Sequence, residues 1–128
     1  MKREMKKPKR VKTHFDVIGE KQFTDQVIAL ARWHKWRVYH ARPALTKAGR
    51  WVTAMQGDIG FPDLCMAHAE RGLVIFAELK AEGGRLSPKQ IDWIDVLGEC
   101  QNGGPGAGVL VYVWRPSDVD VIETILKG

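Results

Sequence analysis

The sequence has no long apolar run and few cysteines. No stretch approaches the roughly 18 apolar residues of a membrane-spanning helix, and the charged N-terminus lacks the apolar segment of a secretory signal. Cys65 and Cys100 form neither a metal-ligand spacing nor a disulfide framework, and their apolar neighbours indicate reduced core residues. We therefore expect a cytoplasmic protein without a membrane partner.

The composition is that of one globular domain. The chain has 128 residues, of which 45% are hydrophobic and 27% charged, and this length suffices to bury a sizeable core. The sequence contains no internal repeat. We expect a flexible basic arm at residues 1–15 and a folded domain at residues 16–128.

Positive charge is concentrated in the arm. Residues 1–12 contain seven basic residues and one acid, Glu4, so their net charge is +6. The net charge of the whole chain is +5, and the remaining 116 residues therefore carry about −1. Such an arm suits a polyanion such as nucleic acid, because each phosphate contact releases counterions. The alternative is a solubilising tail. The candidate DNA contacts in the arm are Lys6, Lys7, Lys9 and Arg10.

Hydrophobic periodicity predicts an α/β domain with the element order α-β-β-β-α-β-α. A helical crossover before the last strand predicts a mixed central sheet flanked by helices. Ser87 and Gln90 form a capping-box pattern at the start of the second helix, and Ser117 is the predicted cap of the last helix. The predicted elements are a helix at 20–34, strands at 36–40, 64–68 and 73–79, a helix at 88–99, a strand at 109–114 and a final helix.

Two connecting segments contain several glycines. Residues 41–60 include Pro43, Gly49 and Gly57, which predicts a long loop, and loops of this length are usually functional or mobile. Its cations, Arg42, Lys47 and Arg50, are further candidate DNA contacts. The glycine-rich run at 103–108 precedes a strand, so it lacks the geometry of a phosphate-binding loop and is interpreted as a flexible turn.

A hairpin between residues 64 and 79 brings two acids together. If the turn is centred on Glu70-Arg71, Asp63 lies opposite Glu78 on the same face of the sheet. Like charges that face each other destabilise a sheet, and a divalent cation such as Mg²⁺ between them would remove that penalty. A bulge at Gly72 would shift this register by one residue.

Lys80 follows Glu78 by two residues, so both side chains point to the same face of a strand. Two carboxylates and an ammonium group can bind metal, activate water and stabilise charge at a phosphate. The alternative is a solvated strand end. That alternative is weaker for Glu78, which ends a strongly apolar run, because a charge on a buried strand needs partners.

Glu20 lies at the start of the first predicted helix, on the apolar stripe of Phe23 and Val27 that should face the sheet. It is either a functional acid or an acidic residue that favours the helix N-terminus. The sequence leaves both interpretations open.

These motifs resemble the VRR-NUC (virus-type replication-repair nuclease) branch of the PD-(D/E)XK nuclease superfamily. The resemblance covers about residues 18–126 and implies a restriction-endonuclease-like core. It is carried by Glu20, Gly60-Phe61-Pro62-Asp63, Glu78-Leu79-Lys80, Gly84-Arg85-Leu86-Ser87-Pro88 with Gln90, and Trp114-Arg115-Pro116-Ser117-Asp118.

The resemblance implies a role for each of these side chains. Asp63 and Glu78 would ligate Mg²⁺ or Mn²⁺ with the backbone carbonyl of Leu79, and Lys80 would position or polarise the attacking water. Gln90 would be the glutamine that a helix places near the active site, although its capping role also explains it. Glu20 would be the acid of the first helix and a further candidate metal ligand.

The resemblance also implies a homodimeric, structure-selective endonuclease that cuts branched DNA such as four-way (Holliday) junctions. Trp33, Trp51 and Trp93 are candidates for a dimer surface, whereas Trp36 and Trp114 are expected in the core. The alternatives are a non-catalytic DNA- or RNA-binding module that uses the arm and loop 41–60, or a structural domain with solvated acids. The full set of two acids and a lysine favours the enzyme, because a binding module does not need it.

Overall fold

A four-stranded mixed sheet organises the domain. The computed structural model describes residues 5–8, 19–41, 44–45, 47–52, 55–102 and 107–128. The elements are α1 (Glu20–Trp33), β1 (Arg37–His40), β2 (Ala44–Leu45), β3 (Trp51–Val52), β4 (Leu64–His68), β5 (Leu73–Leu79), α2 (Pro88–Gln101), β6 (Val109–Trp114), a 3-10 turn (Pro116–Asp118) and α3 (Val119–Lys127). The predicted fold class is confirmed, with a short β2–β3 ladder added inside the predicted loop.

The strand order in the sheet is β1-β4-β5-β6. β4 is antiparallel to both β1 and β5, whereas β6 lies parallel to β5 after the predicted crossover through α2. Leu64 pairs with Ala77 and His68 with Leu73, which is the register expected for a two-residue turn. Gly72 closes that turn by donating its N–H to the Ala69 carbonyl at 3.1 Å.

The core lies between the sheet and the pair α1 and α3. Alternation along the strands sends Leu64, Met66, Ile75, Ala77 and Leu79 to this face, and all five are buried. Helices α1 and α3 cover them with Phe23, Val27, Leu30, Ile122 and Leu126. Trp36 and Trp114 are buried, as predicted.

Helix α2 lies on the opposite face and covers only part of it. Leu97 is its one buried residue, and Gln101 accepts a hydrogen bond from the Val111 N–H of β6 at 3.0 Å. The helix therefore lies over β5 and β6. On the same face of β1, Tyr39 remains 65% exposed.

Two local predictions were wrong. Cys100 is exposed and Cys65 half-buried, because α2 buries so little of its surface. Ser117 does not cap α3: its backbone N–H donates to Glu82 Oε1 at 2.6 Å, and the chain passes through the 3-10 turn before α3 begins after Asp118.

The β4–β5 turn is fastened to the C-terminus of α3. Arg71 donates through Nη1 to the carbonyls of Ile125 and Leu126 at 3.0 and 3.1 Å. Its guanidinium carbon lies 5.1 Å from the ring centroid of Trp36, whose indole N–H donates to the Leu126 carbonyl at 2.9 Å. None of the described helices is long and apolar enough to span a membrane.

Candidate active site

The segment before β4 is held tightly against the start of α2. Gly60 has a φ of +95°, and a β-carbon there would lie 2.5 Å from the carbonyl carbon of Lys89, so only glycine permits this approach. The next ring, Phe61, makes edge contacts with Phe76 at 5.7 Å and with Trp93 at 5.0 Å between centroids. These contacts fix the position from which Asp63 enters the site.

The Asp63 side chain accepts the hydrogen bond that a backbone carbonyl of the neighbouring strand would otherwise accept from Leu79. Its Oδ2 accepts a hydrogen bond from the Leu79 N–H at 2.9 Å. The register places Pro62 opposite Leu79, and proline has no N–H to give to the Leu79 carbonyl. The carbonyl that the family resemblance names as a ligand therefore receives no hydrogen bond from the chain position opposite it.

Glu78 is a carboxylate in an almost closed environment. It is 1% exposed, and its Oε2 has no hydrogen-bond partner among the described residues. Burial and, after it, the negative charge of Asp63 raise the pKa of Glu78 to about 8, while Lys80 acts in the opposite direction. The two acids thus lie together as predicted, although the strand pairing begins one residue after Asp63.

Gln90 has both of the roles considered for it. Its backbone N–H donates to Ser87 Oγ at 3.2 Å, and its Oε1 accepts from the Ser87 N–H at 2.9 Å, which completes the capping box. Its Nε2 donates to Glu78 Oε1 at 3.0 Å. One side chain therefore starts α2 and orients the buried glutamate.

Lys80 is the first residue after β5, next to the acids Asp63 and Glu78. Its Nζ lies 3.9 Å from Glu78 Oε1, and its side chain is only 14% exposed. Its backbone N–H donates to the Trp114 carbonyl at 3.0 Å, so the parallel strand β6 fixes its position. The ammonium group is therefore partly desolvated and close to Glu78.

The Trp114–Asp118 segment, which begins at the end of β6, holds the loop after Lys80 in place. Arg115 donates through Nη2 to the Gly84 carbonyl at 2.7 Å. Glu82 accepts from the Ser117 N–H, and this hydrogen bond lowers the pKa of Glu82. Sequence reasoning missed this supporting role. The only signal was the joint presence of the Gly84-Arg85 and Trp114-Arg115 segments, since the contacts span about 30 residues.

Glu20 lies on the same side of α1 as Phe23 and Val27, but it is exposed because it is the first residue of the helix, so it is not packed against the sheet. It lines a cleft of about 860 Å³ between α1, β1 and the segment before β4, together with His40 and Asp63. Within the described ranges, no three His, Cys, Asp or Glu side chains are grouped as a set of metal ligands. The structure therefore brings Glu20 to the cleft of Asp63 without joining it to the buried pair.

The remaining candidate DNA contacts are cations of the arm and of the segment after β1. Arg42, Lys9 and Arg10 are outside the described residues, and Lys47, Arg50 and Lys6 are exposed. Lys7 Nζ lies 2.5 Å from Glu123 Oε1 of α3.

The donor set of the buried pair fits a hard divalent cation. Both side chains supply carboxylate oxygens, which Mg²⁺ and Mn²⁺ prefer. One of these oxygens, Oε2 of Glu78, is buried and has no hydrogen-bond partner in the described part of the chain, and the ionisation of Glu78 is opposed by burial and by Asp63. A cation at this position would compensate both costs.

An Asp and a Glu-x-Lys segment at adjoining strand ends of a mixed sheet define a nuclease core of the PD-(D/E)XK type. The model of the VRR-NUC domain family matches residues 44–117, which is 74 of the 128 residues, and the chain belongs to this family. The matched range contains Asp63, Glu78, Lys80 and Gln90, whereas Glu20 precedes it. No curated protein and no solved structure gives a match. A nuclease domain of this family implies DNA as the substrate.

Proposed function

We propose that this protein is a divalent-metal-dependent DNA endonuclease that hydrolyses phosphodiester bonds at Asp63, Glu78 and Lys80. The observation that carries the proposal is the buried Glu78 carboxyl group, whose Oε2 has no hydrogen-bond partner among the described residues and which faces a second acid. A structural domain with solvated acids would not bury this group. A binding module would gain nothing from its unfavourable ionisation.

Each side chain has a distinct task in this proposal. Asp63 and Glu78 would hold the cation, which when bound polarises the phosphate and lowers the pKa of a water molecule. Gln90 fixes Glu78 Oε1, so that Oε2 remains directed to the site. The Lys80 ammonium is placed to orient the attacking water and to stabilise negative charge that develops at the phosphate.

The direct test is cleavage of supercoiled plasmid and of a four-way junction with Mg²⁺, Mn²⁺ or chelator. We expect strand breaks with either metal and none in chelator, because neither acid alone generates hydroxide near neutral pH. Asp63→Asn and Glu78→Gln should each abolish cutting while DNA binding persists. Undiminished cleavage in chelator, or a near-wild-type rate for Glu78→Gln, would overturn the proposal.

We further propose that the substrate is branched DNA and that the active form is a homodimer. A four-way junction is cut on two opposing strands, and each chain supplies one site, so a two-fold pair of chains is the simplest arrangement. Of the candidate surface tryptophans, Trp93 is packed against Phe61, Trp33 is half-buried, and the side chain of Trp51 is outside the described structure.

Light scattering at micromolar concentration should then give twice the chain mass of 14.4 kDa. A panel of four-way, flap, splayed and linear DNA should show the highest kcat/KM for the four-way junction. A strict monomer on DNA would leave a flap or single-strand nuclease. In either form, Lys47 and Arg50 are proposed to contact the DNA backbone together with Arg42.

A further inference from the structure

The face of the sheet that carries the two acids is half open. Helix α2 lies over β5 and β6, and no other helix of the described residues lies above the adjoining strands β1 and β4 on this side. On this face they carry Arg37, Tyr39, Cys65 and Ala67, with no carboxylate among them. An exposed strip of sheet beside a candidate active site is a candidate surface for binding the substrate.

Two aromatic rings dominate this strip. Tyr39 is 65% exposed, and its hydroxyl makes no hydrogen bond with any described residue. Cys65 pairs with Tyr39 on one side and with Phe76 on the other, and Phe61 packs edge-on against Phe76 while remaining 42% exposed. Tyr39 and Phe76 therefore flank Cys65, and the exposed ring of Phe61 lies against Phe76.

The strip is continuous with the site. Strands in a sheet are about 4.8 Å apart and successive residues about 3.3 Å apart, so Tyr39 and Glu78 lie roughly 12 Å apart between α-carbons. That distance equals roughly three to four steps along a duplex strand. A nucleic acid strand with its phosphate at the two acids would place a nearby base at Tyr39.

We propose that Tyr39 and Phe61 form a stacking surface for unpaired bases of the DNA substrate, with Arg37 contacting its backbone. Exposed aromatic rings next to a cation are how proteins bind single-stranded nucleic acid, because every base presents a flat face. Arg37 is exposed and has no ion pair or hydrogen bond among the described residues, so its charge is available to a phosphate. The inference rests on the proposed function, and it requires that bases next to the cleaved bond are unpaired in the bound substrate, either because the DNA has a single-stranded arm or because the protein opens the pairs at a branch point.

Binding in chelator separates this inference from catalysis. The full-length chain is titrated with splayed DNA that carries 2-aminopurine in its unpaired arm, and with a blunt duplex of equal length. We expect Tyr39→Ala to weaken binding of the splayed DNA by about 5- to 150-fold, the range for loss of one stacked base, and to abolish 2-aminopurine quenching. Duplex affinity should change by less than about twofold.

Matched variants define the contact. Tyr39→Phe keeps the ring and should bind within about twofold of wild type, as should Val121→Ala, which removes an exposed apolar side chain from α3 on the other side of the sheet. Arg37→Gln should lower the slope of log affinity against log salt by about one for splayed DNA.

Equal weakening of duplex and splayed DNA by Tyr39→Ala, or no weakening of either, would overturn the stacking surface while leaving the nuclease proposal intact. Conversion of a dimer to a monomer by Tyr39→Ala would overturn it in favour of an interface between copies. Quenching and selective binding without any cleavage in Mg²⁺ would support the surface and overturn the catalytic proposal. A wild-type chain that binds no DNA would overturn both.

Discussion

The two ends of the sheet differ in whether their buried polar groups are hydrogen-bonded. We call the end at the β4–β5 turn the turn end, and the end that carries Asp63, Glu78 and Lys80 the site end. At the turn end, Arg71 and Trp36 donate to the last carbonyls of α3, and the cation lies over the indole ring. At the site end, Glu78 is buried with one oxygen unpartnered and a second acid beside it. His34 Nε2 at the turn end also has no partner, but burial lowers the pKa of His34, so that ring is neutral.

This difference separates what stabilises the fold from what the site is for. At neutral pH Glu78 must either carry a buried charge beside Asp63 or keep a proton that the unfolded chain releases, and either state costs more than burying a neutral nitrogen. Proteins retain such an acid chiefly where a ligand compensates for that cost. At the turn end, Arg71 and Trp36 are hydrogen-bonded within the protein and need no ligand. The site end remains incomplete until a cation binds, and changes at the two ends should therefore affect different measurements.

After the loss of either acid, the largest expected effect is at Lys80. Lys80→Ala removes a preorganised positive charge from the reacting phosphate, and we expect kcat to fall by about 100- to 1000-fold, with melting temperature and DNA affinity nearly unchanged. Lys89→Ala, which removes an exposed lysine on the first turn of α2, is the matched control. A near-wild-type rate for Lys80→Ala would show that the Glu-x-Lys assignment is wrong.

The second prediction concerns the stability of the metal-free protein against pH. The pKa of Glu78 is raised from 4.5 to about 8 in the folded state, so the folded protein holds a proton that the unfolded chain has released. This stabilising contribution is complete below about pH 4.5 and is lost as pH rises through about 8. We expect wild type in chelator to lose, relative to Glu78→Gln, on the order of a few kcal/mol between pH 5 and pH 8.5.

Chemical denaturation of both proteins at several pH values measures this difference. Mg²⁺ should stabilise wild type more at pH 8 than at pH 6, because binding displaces the proton, and it should have little effect on Glu78→Gln. Parallel stability curves for the two proteins in chelator would contradict the raised pKa.

Most of the fold was predictable because its signals are local. The hairpin register follows from one turn, Ala69 to Gly72, and the structure confirms it from Leu64 to His68. The capping pattern of Ser87 and Gln90 marked the start of α2. The closeness of Asp63 to Glu78 was predictable for the same reason, since it follows from strand alternation and that turn, although the strand pairing itself begins at Leu64.

The failed predictions have two causes. One is where a helix begins and how much of the sheet it covers, and the other is contacts between residues that are distant in sequence. Periodicity gave Glu20 the correct side of α1, but Glu20 is the first helical residue and opens onto the cleft. Cys100 is exposed because α2 spans only part of the sheet. The bond from Arg115 to Gly84 joins segments that no local rule connects.

The third prediction tests the turn end. Arg71→Ala removes two hydrogen bonds to the carbonyls of α3 and a cation–π contact, and we expect a loss of about 1–3 kcal/mol in unfolding free energy. Cleavage well below the melting temperature should be unchanged, since the turn is five strand residues away from Asp63. Lys127→Ala is the control, because it removes an exposed cation from the same end. A loss of activity without a loss of stability would contradict the division between the two ends.

The smallest expected effect belongs to the basic arm at Lys7. Its ammonium already lies beside Glu123 near the turn end, and an exposed ion pair contributes at most about 1 kcal/mol. We therefore expect Lys7→Ala to change DNA affinity by less than about twofold and to leave the salt slope unchanged. Deletion of residues 1–12 is the comparison: it should weaken binding and flatten the salt slope while kcat at saturating DNA persists, because phosphate contacts position the substrate and do no chemistry. If Lys7→Ala alone reproduced the effect of the deletion, Lys7 would have to leave Glu123 on binding DNA, and the turn end would belong to the DNA interface as well as to the scaffold. If the deletion also left the salt slope unchanged, the arm would serve solubility alone, and the DNA contacts would lie entirely on the folded domain.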